Sequence, residues 1–314
     1  MKKILALFLA ITILFTLSAC AKTTESGEGI STQSNGNETA PNSKDEYSEE
    51  TEQTSTPNNE KIELSFAELV VVDNDDCMIK VTGIDEDSWL GFSLKVELEN
   101  KSSDKNYMFS IDESSINGVA VSALLASEVS AGKKANDEIT FYDDDADAEL
   151  IGEFTDIELT FSVSDSDDWS ADDIYSGSVH IYPYGEQNAT TFVRTAQPED
   201  QILVDNEQIT VIVTGYEWDD IWGYMANVFI VNKTEKTLMF SADDVSLNGY
   251  MVEPYFAVFV SGGKSAFESI TWSEAALEEN NITEVDEIEL TLSVYDWNDW
   301  TADDIVNETF VLNP

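Results

Sequence analysis

Apolar and polar positions alternate along most of the chain beyond about Lys61. Phe92, Leu94, Val96 and Leu98 interleave with Ser93, Lys95, Glu97 and Glu99, and Ile157, Leu159, Phe161 and Val163 interleave with Glu158, Thr160, Ser162 and Ser164. A period of two puts one face of each run on a core and the other in water, so these are half-buried strands. Turn signals stand between such runs: Gly83, Asn117-Gly118, Gly132 and an Asp-rich loop at 165–173. Asn-Gly is the strongest short hairpin cue, because both residues tolerate positive φ. Helical patterning is confined to Ser273–Asn280 (SEAALEEN), with a fainter counterpart at 143–150.

The pattern occurs twice. EFTDIELTFSVSDSDDWSADDI at 153–174 returns as EVDEIELTLSVYDWNDWTADDI at 284–305. Asp73-Asn74 matches Asp205-Asn206, Gly83 matches Gly215 and Asn100-Lys101 matches Asn232-Lys233. After one residue is dropped in a Lys-rich turn, Met108-Phe109-Ser110 matches Met239-Phe240-Ser241, Asn117-Gly118 matches Asn248-Gly249, and Ser130, Gly132 and Lys133 match Ser261, Gly263 and Lys264. Two copies are too few for a solenoid, and each is long enough to close its own core. The expected fold class is all-β: two tandem immunoglobulin-like antiparallel β-sandwich domains at 61–184 and 200–314, joined by a linker at 185–199. A barrel of similar strand number is the competing architecture.

The first sixty residues follow other rules. Lys2 and Lys3 precede a short apolar run, Ile4 to Leu17, and the segment ends Leu17-Ser18-Ala19-Cys20. Residues 1–19 resemble a bacterial lipoprotein signal peptide, in which small residues precede a cysteine that is lipidated and becomes the mature N-terminus. The resemblance implies a lipid on Cys20, a membrane partner through that lipid, and a location on the extracytoplasmic face of a bacterial membrane. Residues 20–60 are Ser, Thr, Asn, Glu and Gly with almost nothing apolar, the composition of a disordered tether.

The N-K-[ST] runs, Asn248-Gly-Tyr-Met-Val252, the Gly-Lys turn and DEIELTLSVYD at 286–296 are similar to a domain of uncharacterised lipoproteins of Gram-positive gut bacteria. That resemblance spans both copies. It implies an immunoglobulin-like surface module and brings no catalytic residues with it.

Charge narrows the partners. Sixty-three acidic residues against 15 Lys and Arg give a formal net charge of −48. A phosphate backbone is repelled by such a surface, so nucleic acid is excluded, whereas divalent cations and basic surfaces are drawn in. The same charge favours a monomer. With Cys20 assigned to the lipid, Cys77 has no disulfide partner; its parity with Ile79 and Val81 makes it a small buried hydrophobe. His180, the one histidine, lies in an alternating run and corresponds to Val311, which makes it a strand residue and not a catalytic base. No phosphate loop, metal-spaced His/Cys set or nucleophile elbow is present, and in so acidic a chain carboxylate pairs arise by chance. The chain is therefore expected not to be an enzyme, with a carboxylate-based glycoside hydrolase as the residual catalytic reading.

Two sets of residues remain as candidates. In the acidic loops, Asp165, Asp168, Asp296 and Asp299 can offer oxygens to Ca²⁺, the one cofactor considered. Against that, Ser170-Ala-Asp-Asp173 and Thr301-Ala-Asp-Asp304 fit a capping arrangement that closes one helical turn while Trp169 or Trp300 packs inward. The second set comes from differences between copies. Trp218 stands against Glu86, Trp297 against Ser166, Phe229 against Glu97 and Phe259 against Glu128, with Val231 against Glu99. A position polar in one copy and aromatic in the other is expected to face water, and such residues mark a surface for protein or cell-wall glycan. The competing account is that the second copy packs on the first through this face. The functional expectation is a non-catalytic surface interaction module, with a carbohydrate- or peptide-binding lipoprotein as the alternative.

Overall fold

The computed structural model describes residues 63–86, 92–141, 150–168, 170–299 and 301–314. The expected signal segment and tether, with Cys20, lie outside these residues, as do Trp169, Trp300 and the helical pattern at 143–149. The described part is all-β with one short helix. The first repeat contributes β1 (Leu69–Asp73), β2 (Cys77–Asp85), β3 (Ser93–Asn100), β4 (Tyr107–Ile116), β5 (Val119–Ala120), β6 (Ala123–Leu124), β7 (Ala126–Val129), β8 (Lys134–Phe141), β9 (Ile157–Asp165) and β10 (Tyr175–Ile181). The second contributes β11 (Gln201–Asp205), β12 (Ile209–Asp219), β13 (Gly223–Asn232), β14 (Leu238–Leu247), β15 (Tyr250–Met251), β16 (Ala257–Val260), β17 (Ser265–Trp272), helix α1 (Glu274–Glu279), β18 (Ile288–Asp296) and β19 (Val306–Leu312).

Three open sheets result, and none closes into a barrel. The first runs β1-β2-β3-β8-β6, and the third runs β15-β14-β18-β19 with β16 also on β14. Between them a nine-stranded sheet, β10-β9-β4-β5-β17-β13-β12-β11 with β7 on β4, takes strands from both repeats. One core joins β2, β3 and β8 to β4 and β9 through Ile79, Val96, Ile139, Phe109 and Phe161. The other joins β12, β13 and β17 to β14 and β18 through Val211, Ile230, Trp272, Phe240 and Leu290. Each core is lined by the alternate residues that the period-two pattern turns inward, and facing sheets of this kind fit a β-sandwich. The described residues of both repeats belong to one compact unit.

Local details follow the sequence closely. Ser273 caps α1 by accepting from the Ala276 amide, and Asn280 closes it by donating to the Ala276 carbonyl at 2.9 Å. Gly83 and Gly215 depart from expectation. Both lie inside strands, at register shifts after Val81 and Val213, and make β-bulges where a turn is expected. Glycine inside a strand commonly marks such a bulge.

The linker is the larger departure. Residues 189–199 form no strand, yet Phe192 packs edge-on against Phe229 and Phe267, with ring centroids 6.1 and 5.7 Å away. Arg194 makes a two-pronged ion pair with Asp200, both bonds 2.7 Å, and lies over the Phe229 ring. The segment is a strap across the outer face of β13 and β17. Beside it, Ser265 pairs in parallel with Val119, its amide donating to Gly118 O at 3.0 Å, and Lys264 pairs with Glu158.

Candidate functional site

The motifs that the repeats share turn out to hold the fold. Asn100 is fully buried: its amide donates to Lys105 O and Val129 O at 2.8 and 2.7 Å, and its oxygen accepts from the Ser102 amide. Asn232 does the same with Lys236 O, Val260 O and the Thr234 amide. The lysine that follows each reaches back to the Asp-Asn turn, Lys101 to Asp73 and Lys233 to Asp205. Asn117 and Asn248 take positive φ of 52° and 49° and tie their hairpins to the segments 153–156 and 284–287 through both ends of the amide.

The acidic loops are likewise structural. Asp165 binds Lys105 at 2.8 Å and accepts from the Asp167 amide; Asp296 binds Lys236 at 2.6 Å and accepts from the Asn298 amide. The lysine and then the backbone amide hold each carboxyl below its ordinary range. The capping expectation needs correction. Ser170 and Thr301 do not cap a helical turn; each donates its hydroxyl at 2.7 Å to Asp168 or Asp299, which also accepts the amide of the same residue. A carboxylate two residues upstream is the stronger acceptor, so it organises an Asx turn in place of a helix start. Asp168 and Asp299 are held low by these bonds. Among the described residues, no three His, Cys, Asp or Glu side chains gather in a metal-holding group.

Of the aromatic candidates, Phe229 is not exposed. It retains 5% of its surface, because Phe192, Phe267 and Arg194 cover the face that parity turns away from the core. Val231 on the same face is half-buried and lies beside the strap. Phe259, 49% exposed, and half-buried Trp297 do come together, edge to face, with centroids 4.6 Å apart. Their positions follow from β14, whose Met239 pairs with Phe259 on one side and Tyr295 on the other.

This pair lines a cleft of about 630 Å³ whose opposite wall is the first repeat, including Asp112, Glu113 and Ser122, with Asn298 on the near side. Asp112 is held in place by the Ser162 hydroxyl at 2.6 Å, itself 2.8 Å from Ser110. Trp218 does not converge on the cleft. It is 52% exposed and packs on Tyr224 at the β12–β13 hairpin, whereas Trp297 is bonded beside the 233–237 turn at the far end of β13. Ten strand residues, about 30 Å, separate the two ends.

Around Trp218 the hairpin also exposes Ile221 and Trp222. A second hollow of about 710 Å³ lies under the strap, where Glu217, Asn227 and Ser269 bond in a row across three strands. Neither it nor the first repeat's wall of the cleft was legible in the sequence, since both depend on how the copies meet. His180 sits half-exposed on β10, with Nδ1 2.7 Å from Asp156. Cys77 is fully buried, and burial pushes its thiol up to about 11.

No family model matches the chain, and no curated protein matches it. Among solved structures, it is similar to the YadV chaperone at 10% identity and a TM-score of 0.21, over 70% of this chain and 92% of that one. It is similar also to the exo-chitosanase CsxA of Amycolatopsis orientalis at 12% identity and a TM-score of 0.22, over 77% of this chain and 27% of that one.

Proposed function

We propose that this chain is a lipid-anchored extracytoplasmic protein whose two immunoglobulin-like domains form a non-catalytic module that binds a glycan strand in the cleft between them. The anchor rests on Leu17-Ser18-Ala19-Cys20 and on the solvated composition of residues 20–60, which hold the module clear of the membrane. The observation that carries the binding reading is the Phe259–Trp297 pair, an aromatic surface kept partly in water at the edge of a polar cleft. A sugar offers such a surface an apolar face, and its hydroxyls suit the carboxylates and amide of Asp112, Glu113 and Asn298. A non-catalytic role is supported by the buried carboxylates among the described residues: Asp165 and Asp296 sit in different repeats, each against a lysine.

Calorimetric titration of the full chain with soluble cell-wall glycan fragments is expected to give saturable binding that a Phe259→Ser/Trp297→Ser variant loses by at least about tenfold. Absence of binding, or undiminished binding by the double variant, overturns the glycan reading. In the same preparations Cys20→Ser is expected to move the chain out of the membrane fraction, and its retention there overturns the anchor.

A further inference from the structure

The seam between the repeats joins two different surfaces: the β4–β5 hairpin of the first copy and the start of β17 in the second. Each surface has a counterpart at an outer position of the molecule, and there both are bare. Asn117 and Val119 are buried at 3% and 0% exposure in the seam; their counterparts Asn248 and Tyr250 are exposed, Tyr250 by 55%, and Met251 stands out beside them. Ser265 is buried in the seam, while its counterpart Lys134 is exposed.

The bare surfaces already have the docked shape. The β14–β15 hairpin has the register of β4–β5, with Leu247 opposite Tyr250 as Ile116 is opposite Val119. The two lysine turns share their bonds, Lys133 N to Ser130 O and Asn100 N to Lys133 O matching Lys264 N to Ser261 O and Asn232 N to Lys264 O. Along β8, β6 occupies the edge only at Thr140 and Phe141, and among the described residues no strand pairs with the edge at Lys134. Charge also corresponds: Lys264 meets Glu158 in the seam, and the outer equivalents are Lys133 and exposed Glu289.

We infer that a second copy of this chain docks head to tail on the first, the β14–β15 hairpin of one molecule seating on the start of β8 of the next and repeating the internal seam. Gly249 O then accepts from Lys134 N of the neighbour, and Glu289 receives Lys133. The contact is heterologous, so it leaves a free face at each end and propagates as a chain. It is weaker than the internal seam for two reasons. Among the described residues no strap crosses it, and Glu97 and Asn136 stand where the second repeat has Phe229 and Phe267. Molecules of net charge −48 also repel one another until salt screens them.

Sedimentation velocity of the full chain in detergent, from ~5 to ~500 µM and at about 20 and about 300 mM salt, tests this. The mean sedimentation coefficient is expected to rise with concentration, and more so at the higher salt. Lys133→Glu and Glu289→Lys are each expected to weaken association at least about tenfold, and the double variant, which reverses the pair, to restore it. A mixture of the two single variants is expected to associate again in alternation, because every contact between unlike molecules then sets a lysine against a glutamate. Wild-type chain that stays monomeric throughout, single variants that associate unchanged, or a double variant that is not restored overturns the inference.

Discussion

In each repeat a lysine from the turn before β4 or β14 closes on a nearly buried carboxylate at the end of β9 or β18: Lys105 on Asp165 and Lys236 on Asp296. Both carboxyls titrate below the ordinary 3.8, the lysine being the larger cause in each case. A folded-state value below the unfolded one means that the unfolded chain binds protons first as pH falls. The stabilisation is therefore complete above the ordinary value and is lost as pH drops through it towards the lowered one. Thermal melts of an Asp165→Asn/Asp296→Asn variant are expected to show a lower Tm at neutral pH and a flatter decline below pH 3.8 than the parent. The residue types behind this arrangement are plain in the sequence, and Asp165 and Asp296 stand out by their repetition. Their lysine partners did not, because the ion pair spans sixty residues in each copy and no local spacing links them.

Parity along β13 correctly places Phe229 on the face away from the core; what parity cannot state is whether another segment lies on that face. The strap does so with a sequence, Thr191-Phe-Val-Arg-Thr-Ala-Gln-Pro198, that has no period and thus reads as a connection. The same inference succeeds for Phe259, where the face of β16 away from the core is open to the cleft. Phe229→Ala is expected to cost about 3 kcal/mol in chemical denaturation, the lower range for losing a buried ring. The matching Glu97→Ala change in the first repeat, on an exposed ion pair with Lys134, is expected to stay within about 0.5 kcal/mol.

The doubling of the molecule, its strands and its two cores all follow from the alternating pattern. The seam does not, for it consists of one parallel pair, one ion pair and a strap whose anchors Phe192 and Arg194 look like linker residues. Through that seam the two cores are coupled, and calorimetry of the full chain is expected to show one unfolding transition. A Phe192→Ala/Arg194→Met variant removes the ring from the Phe229–Phe267 cluster and takes away the ion-pair partner of Asp200. Its expected outcome is two resolved transitions, with the second repeat melting first.

The strap also makes the order of the duplicated units chemically irreversible. A chain with its halves transposed would lay Phe192 over Glu97 and Asn136, beside ion pairs that keep their water, and would leave Phe229 and Phe267 uncovered at a free end. Duplication therefore left two units that share a plan and cannot trade places. Each has been dressed for its own station, one to be leaned upon and one to receive.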